Sequence, residues 1–141
     1  MQDKQLNFLI DGASRGNPGP AGFGIVVYDA EWQKADEIKG QLGVNTNNYA
    51  EYMALIKALE HALEKGAMKV RVYSDSELIV WQMKGKYKIK SKNIIPLARK
   101  AFTLVRQLKQ FDIKKIPRAK NKKADLLANE AIDSSIEEKR R

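Results

Sequence analysis

The sequence predicts a mixed α/β domain, of the α+β type, in which helices flank a five-stranded mixed sheet. Three observations carry this. Leu6, Phe8 and Ile10 alternate with Asn7, Leu9 and Asp11, the period of two that a pleated strand imposes. Residues 46–65 carry apolar side chains at helical spacing between a capping Thr-Asn pair and Gly66. A second strand-like run, Lys69 to Ser74, follows that helix, so the first and fourth strands are joined by a helical crossover and lie parallel.

The first strand runs from Gln5 and is expected to stop at Asp11-Gly12, leaving a carboxylate at a strand tip. A turn dense in Gly, Asn and Pro follows, and Ile25 to Tyr28 form the hairpin partner. A third, more polar strand spans about Lys34 to Leu42, an edge guarded by Lys34 and Lys39. In the crossover helix Tyr52, Leu55, Ile56, Ala58, Leu59, Ala62 and Leu63 make one apolar face. Lys57, Glu60, His61 and Glu64 lie opposite, which places His61 at the surface. Glu51 shares a row with Leu55, Ala58 and Ala62, and a carboxylate on the packed side is costly unless something pairs with it.

Asp75 follows the fourth strand, where it is either an N-cap or a second strand-tip carboxylate. The helix it precedes ends near Gly85. From Lys84 to Lys92 lysines alternate with Gly85, Tyr87, Ile89 and Ser91, either a solvated edge or a nucleic-acid contact. A basic amphipathic helix from Ile95 to Gln110 has Pro96 in its first turn and Leu97, Ala101, Leu104 and Leu108 at core spacing. Phe111 to Ile116 is the fifth strand. Asn121 caps a last helix, about Lys122 to Ile136, with Asp125 in its first turns, and residues 137–141 are expected to fray.

The 141 residues suit one domain with a real core. There is no cysteine and a single histidine, so thiolate and histidine-rich metal sites are excluded and any metal must sit on oxygen, which points to Mg²⁺ or Mn²⁺. The N-terminus is polar and no apolar run has the length of a membrane span, so a cytoplasmic protein is expected, with no membrane partner. A net charge of +9 favours a polyanionic partner.

The parallel pairing brings Asp11 and Asp75 to the same end of adjacent central strands, where open sheets place their sites. Glu51 and Asp125 can reach the same spot from their helices. Two unit charges about 4 Å apart cost roughly 4 kcal/mol at an effective dielectric of 20, so such a cluster calls for cations. Two divalent ions would neutralise four carboxylates, in the arrangement that serves in-line phosphodiester cleavage.

Four stretches, Asp11-Gly-Ala-Ser-Arg-Gly-Asn-Pro-Gly-Pro-Ala-Gly-Phe-Gly24, Thr46-Asn-Asn-Tyr-Ala-Glu51, Tyr73-Ser-Asp75-Ser and Asn121-Lys-Lys-Ala-Asp125-Leu-Leu-Ala-Asn129, occur in order on the expected elements. With them the chain resembles type 1 ribonuclease H over essentially its whole length. The resemblance implies the ribonuclease H-like fold with strand order 3-2-1-4-5. It also implies endonucleolytic cleavage of the RNA strand of RNA/DNA hybrids, leaving 5′-phosphate and 3′-hydroxyl ends, with two Mg²⁺ or Mn²⁺ ions on Asp11, Glu51, Asp75 and Asp125. Main chain and side chains around Ala13 to Asn17, Ser14 among them, with Asn47, Glu51, Ser76 and Glu77, would contact the RNA 2′-hydroxyls and minor groove; Asn17, Thr46 and Asn47 would hold the DNA strand and its phosphate, and Asn48 would be a further substrate contact.

The chain departs from the family in two places. The family often has a histidine in the loop before the last aspartate; here Pro117-Arg118-Ala119-Lys120 fills it, and Arg118 is expected to take over at the scissile or product phosphate. The segment from Gly85 to Pro96 is too short for the basic protrusion of some relatives, and an N-terminal hybrid-binding domain is not expected. Lys86 and Lys88, with their neighbouring lysines, are the expected substitute. A monomer is expected. The competing readings are a nuclease that also cuts double-stranded RNA and a non-catalytic hybrid-binding module.

Overall fold

A computed structural model describes residues 3–140. Its strands are β1 (Gln5–Ser14), β2 (Gly19–Asp29), β3 (Lys34–Asn45), β4 (Lys69–Ser74) and β5 (Gln110–Lys115). Its helices are α1 (Asn47–Glu64), α2 (Glu77–Met83), α3 (Ile95–Val105) and α4 (Lys122–Arg140), with a 3₁₀ turn at Arg118–Lys120. The sheet order is β3-β2-β1-β4-β5, as expected from the resemblance. The first three strands pair antiparallel, while β1–β4 and β4–β5 pair parallel.

The alternation along the strands sorts two faces. Phe8, Ile10, Ile25, Val27, Val70, Val72 and Ile113 join Leu55, Ile56 and Leu59 of α1 in the main core, which α2 and α3 complete. Burying one such aliphatic side chain contributes about 1.5–3 kcal/mol. On the opposite face α4 lies across β2 and its neighbours, burying Ala124, Leu127, Ala128, Ala131 and Ile132.

Two glycines set how closely the helices approach. A Cβ on Gly12 would lie 2.3 Å from the main chain of Ala50 and Glu51, and one on Gly24 would lie 2.2 Å from the Ala124 carbonyl oxygen. Only glycine tolerates such contact, so α1 and α4 press their N-terminal turns against the tip of β1 and its partner.

Several boundaries differ from expectation. β1 does not stop at Asp11 but pairs on to Ser14, opposite Ala21. β2 accordingly starts at Gly19, inside the run expected to be a turn, and β3 lengthens to Asn45 to pair with it. Asp11 is still at a tip in one sense, because the parallel β1–β4 ladder ends at Ile10 and Ser74. α3 ends at Val105, not Gln110: Gln107 and Leu108 donate to carbonyls three residues back, and Lys109 and Gln110 both donate to Met68 O, which draws the chain into β5. Of the residues at core spacing in α3, Ala101 is fully buried while Leu97, Leu104 and Leu108 pack part-buried on the core.

The C-terminal residues expected to fray continue α4 to Arg140, where Lys139 and Arg140 complement the helix dipole; Arg141 lies outside the described residues. His61 is half-buried, not superficial: its ring meets Phe8 edge-on at 6.2 Å, and desolvation lowers its pKa. Lys34 and Lys39 on the edge strand are ion-paired, to Glu37 at 2.8 Å and Glu130 at 3.6 Å.

Candidate active site

The side chains of Asp11, Glu51 and Asp75 each place one carboxylate oxygen within 4.8 Å of the others. β1 supplies Asp11, which is 6% exposed, and the first turns of α1 supply Glu51 across the Gly12 contact. Asp75 follows β4, and the cap of α2 is not Asp75 but Ser76, whose hydroxyl accepts from Ile79 N at 3.3 Å. Asp75 is therefore left free for the cluster. Asp125, in the first turn of α4, lies outside this tight trio but lines the same cleft. The cleft measures about 510 Å³.

Its electrostatics follow from this crowding. Burial first, then the facing Asp125 carboxyl and the charges of Asp75 and Glu51, push the Asp11 carboxyl up to about 9. Burial raises Glu51 to about 7 against the opposing Ser76 hydrogen bond. Burial also raises Asp75. Arg118 lines the cleft and lowers both Glu51 and Asp75, so it is the cation that faces the carboxylates. A group of three hard oxygen donors that resist sharing their negative charge suits a divalent cation with oxygen preference.

The remaining expected site residues divide. Ala13, Ser14, Asn47, Asn48 and Ser76 line the cleft. Asn17 and Thr46 do not: Asn17 Oδ1 accepts from Asn47 N at 3.1 Å, and Thr46 caps α1 through Tyr49 N at 3.2 Å. Ser14 N donates to Asn47 Oδ1 at 2.9 Å, so the β1–β2 turn is latched to the start of α1. Thr46 lines a second cleft of about 540 Å³ with Pro18, Tyr49 and Lys92. Glu77 occupies the first turn of α2 and does not line the carboxylate cleft.

Lys86 and Lys88 lie apart from the carboxylate cleft, in a segment without regular structure. Gln82 moors that segment: its Oε1 accepts from Tyr52 Oη at 2.7 Å and its Nε2 donates to Lys88 O at 3.3 Å. Lys84 and Lys86 sit 5.7 Å and 5.4 Å from the Trp81 ring centre.

Three residues of this region were not anticipated in these roles. Arg15, expected only within the 13–17 contact stretch, and Asn129, with no expected role, both line the cleft, and Arg15 reaches across to α4. Asn121, expected as a helix cap, turns inward, fully buried, and its Nδ2 donates to Ile10 O at 2.8 Å. Its amide also lies close enough to oppose the rise in the Asp75 pKa.

A β3-β2-β1-β4-β5 sheet with helices on both faces, and acids converging at the tips of β1 and β4, defines a ribonuclease H-like protein. The family described as reverse transcriptase-like matches residues 9–131. A ribonuclease H of Syntrophomonas wolfei is 34% identical over 150 aligned positions, covering 93% of this chain and 98% of that protein. A bifunctional protein of Mycobacterium tuberculosis is 43% identical, covering 90% of this chain, and the chain spans 35% of that relative's length. Among solved structures, LC11-RNase H1 in complex with an RNA/DNA hybrid superposes with a TM-score of 0.88 at 41% identity, covering 93% of this chain and 99% of that one. The chain belongs to the ribonuclease H family.

Proposed function

We propose that the chain is an endoribonuclease that hydrolyses the RNA strand of RNA/DNA hybrids, its 141 residues forming a single catalytic domain. The observation that carries the reading is the convergence of Asp11, Glu51 and Asp75 within 4.8 Å, with Asp125 on the same cleft. Family membership and the hybrid-bound neighbour support the substrate.

Two Mg²⁺ or Mn²⁺ ions held by the four acids would lower the pKa of a water and offset charge on the leaving oxygen. The chain's own residues supply the rest. Asp11 and Glu51 are held by the rigid β1–α1 contact, so the donors are positioned before substrate arrives. Arg118 faces the acids, where a guanidinium meets a phosphate oxygen bidentately. Ser14, Asn47 and Asn48, with Ala13 and Ser76, line the wall on which a 2′-hydroxyl would be read as donor and acceptor. Asn17 orders that wall through Asn47, and Glu77 starts the helix that flanks it.

The second strand fits the neighbouring cleft, where Thr46 lies beside Lys92. The exposed Lys86 and Lys88 extend this basic border and would contact backbone phosphates. The same proposal has the chain acting as a monomer. Among the described residues no helix is long and apolar enough to cross a membrane; a cytoplasmic site of action is part of this proposal.

The test is strand-resolved product analysis on a hybrid, an all-DNA duplex and an all-RNA duplex. The reading expects cutting of the hybrid's RNA strand alone, with 5′-phosphate ends that ligate and 3′-hydroxyl ends that a polymerase extends. Equal cutting of the all-RNA duplex would replace it with a broader nuclease. Metal-independent binding without cutting would replace it with a hybrid-binding module.

A further inference from the structure

We infer that Asn129 and Arg15 are positioning residues that fix the Asp125 carboxylate as a metal ligand. The inference deepens the proposed function and rests on it. Asp125 is the acid that the tight trio leaves out, so its geometry has to be set by something else. Asn129 stands one turn along α4, and its Nδ2 donates to Asp125 O at 3.0 Å and to Asp125 Oδ1 at 3.3 Å. A side-chain amide bonding the carbonyl four residues back is common in helices and by itself means little. What sets this one apart is Arg15.

Arg15 crosses from the β1–β2 turn, and its Nη2 donates to Asn129 Oδ1 at 3.2 Å and Asn129 O at 3.4 Å. Its Nη1 donates to Asp133 Oδ1 at 2.6 Å, which anchors the fork on the next turn of α4. A guanidinium has donors only. The oxygen of the Asn129 amide must therefore face Arg15, and the NH₂ must face the Asp125 carboxylate. The arginine thus selects the amide orientation in which Asn129 serves as a donor to the acid. The same arginine sits in the turn proposed to read the hybrid, so the wall and the fourth acid are mechanically linked.

The removal of such outer partners of metal ligands typically costs about 10–100-fold in metal affinity or activity. Calorimetric titration with Mn²⁺ alone, without nucleic acid, reads this directly. Asn129→Ala is expected to bind Mn²⁺ about tenfold more weakly at an unchanged melting temperature. Arg15→Ala, at a half-exposed position whose loss cannot unfold the core, is expected to show a smaller loss. The double variant is expected to be no weaker than Asn129→Ala, because the two act in series. In hybrid cleavage, Asn129→Ala is expected to lose kcat at low Mg²⁺ and regain it at high Mg²⁺ with KM unchanged. Wild-type Mn²⁺ affinity in Asn129→Ala, or additive losses in the double variant, would overturn the inference. Asp125→Asn run alongside separates the two levels: if it binds Mn²⁺ like wild type, the four-acid site itself is wrong; if it alone loses affinity, only the positioning role is wrong.

Discussion

Replacing Asp11 by asparagine is expected to stabilise the metal-free protein while removing its activity, and the gain should grow with pH. In the fold the Asp11 carboxyl is raised from 3.8 to about 9, mainly by burial and then by its acidic neighbours. Between those values the folded state holds a proton that the unfolded chain has released. Stability is then fully present below the unfolded pKa and is lost as pH rises through the folded one. One proton of difference corresponds to about 1.36 kcal/mol per pH unit, so between about pH 5 and about pH 7 wild type loses about 2.7 kcal/mol through this group. Coulomb's law gives a similar size: two ionised carboxylates at the 4.8 Å limit of the cluster repel by about 3.5 kcal/mol at an effective dielectric of 20. Asparagine carries no such titration. At about 3 °C per kcal/mol for a chain of this length, the melting temperature of Asp11→Asn should gain about 8 °C on wild type over that interval. The assay is thermal unfolding in chelator across the pH series, repeated with excess Mg²⁺, which should shrink the difference. Melting curves of the two proteins that shift in parallel with pH, or a variant less stable than wild type at neutral pH, would refute the reasoning.

Arg118→Ala should reduce kcat about 10–100-fold, since a hydrogen bond to a charged partner contributes about 1.5–3 kcal/mol; steady-state rates equal to wild type would remove Arg118 from the reaction. Lys86→Ala with Lys88→Ala should raise KM and flatten its salt dependence at nearly constant kcat, because only phosphate contacts are lost; a salt titration of KM that overlays wild type would contradict a binding role. Gly24→Ala should lower stability by about 1–3 kcal/mol, because its Cβ would clash with the Ala124 carbonyl. Urea denaturation measures this, and an unchanged midpoint would mean that α4 is free to move outward.

The elements that periodicity specifies were legible. The α1 face, the β4 strand and the crossover between parallel strands follow from side-chain spacing, and they suffice to bring Asp11 and Asp75 together. Within 12–24, where glycines and prolines suggest a turn by local preference, only 15–18 are turn, while 12–14 and 19–24 belong to β1 and β2. Gly12, Gly22 and Gly24 are strand residues whose missing Cβ atoms admit α1 and α4, a tertiary reason that outweighs strand propensity. His61 was placed at the surface because its own helix face is polar, but its position is decided by Phe8 on another element. The same holds for Arg15 and Asn129, which meet across 114 positions of sequence, and for Asn121, whose capping preference yields to a bond with Ile10 O. A helical wheel carries no information about such pairs.

The most direct measurement is cleavage of an end-labelled RNA/DNA hybrid with Mg²⁺, with Mn²⁺ and with chelator, using wild type beside Asp11→Asn. Cutting confined to the RNA strand, dependent on either metal and absent in Asp11→Asn, is the predicted result. Cleavage that persists in chelator or in Asp11→Asn, or a hybrid that is bound and left intact by wild type with metal present, would contradict the carboxylate cluster as the seat of the reaction.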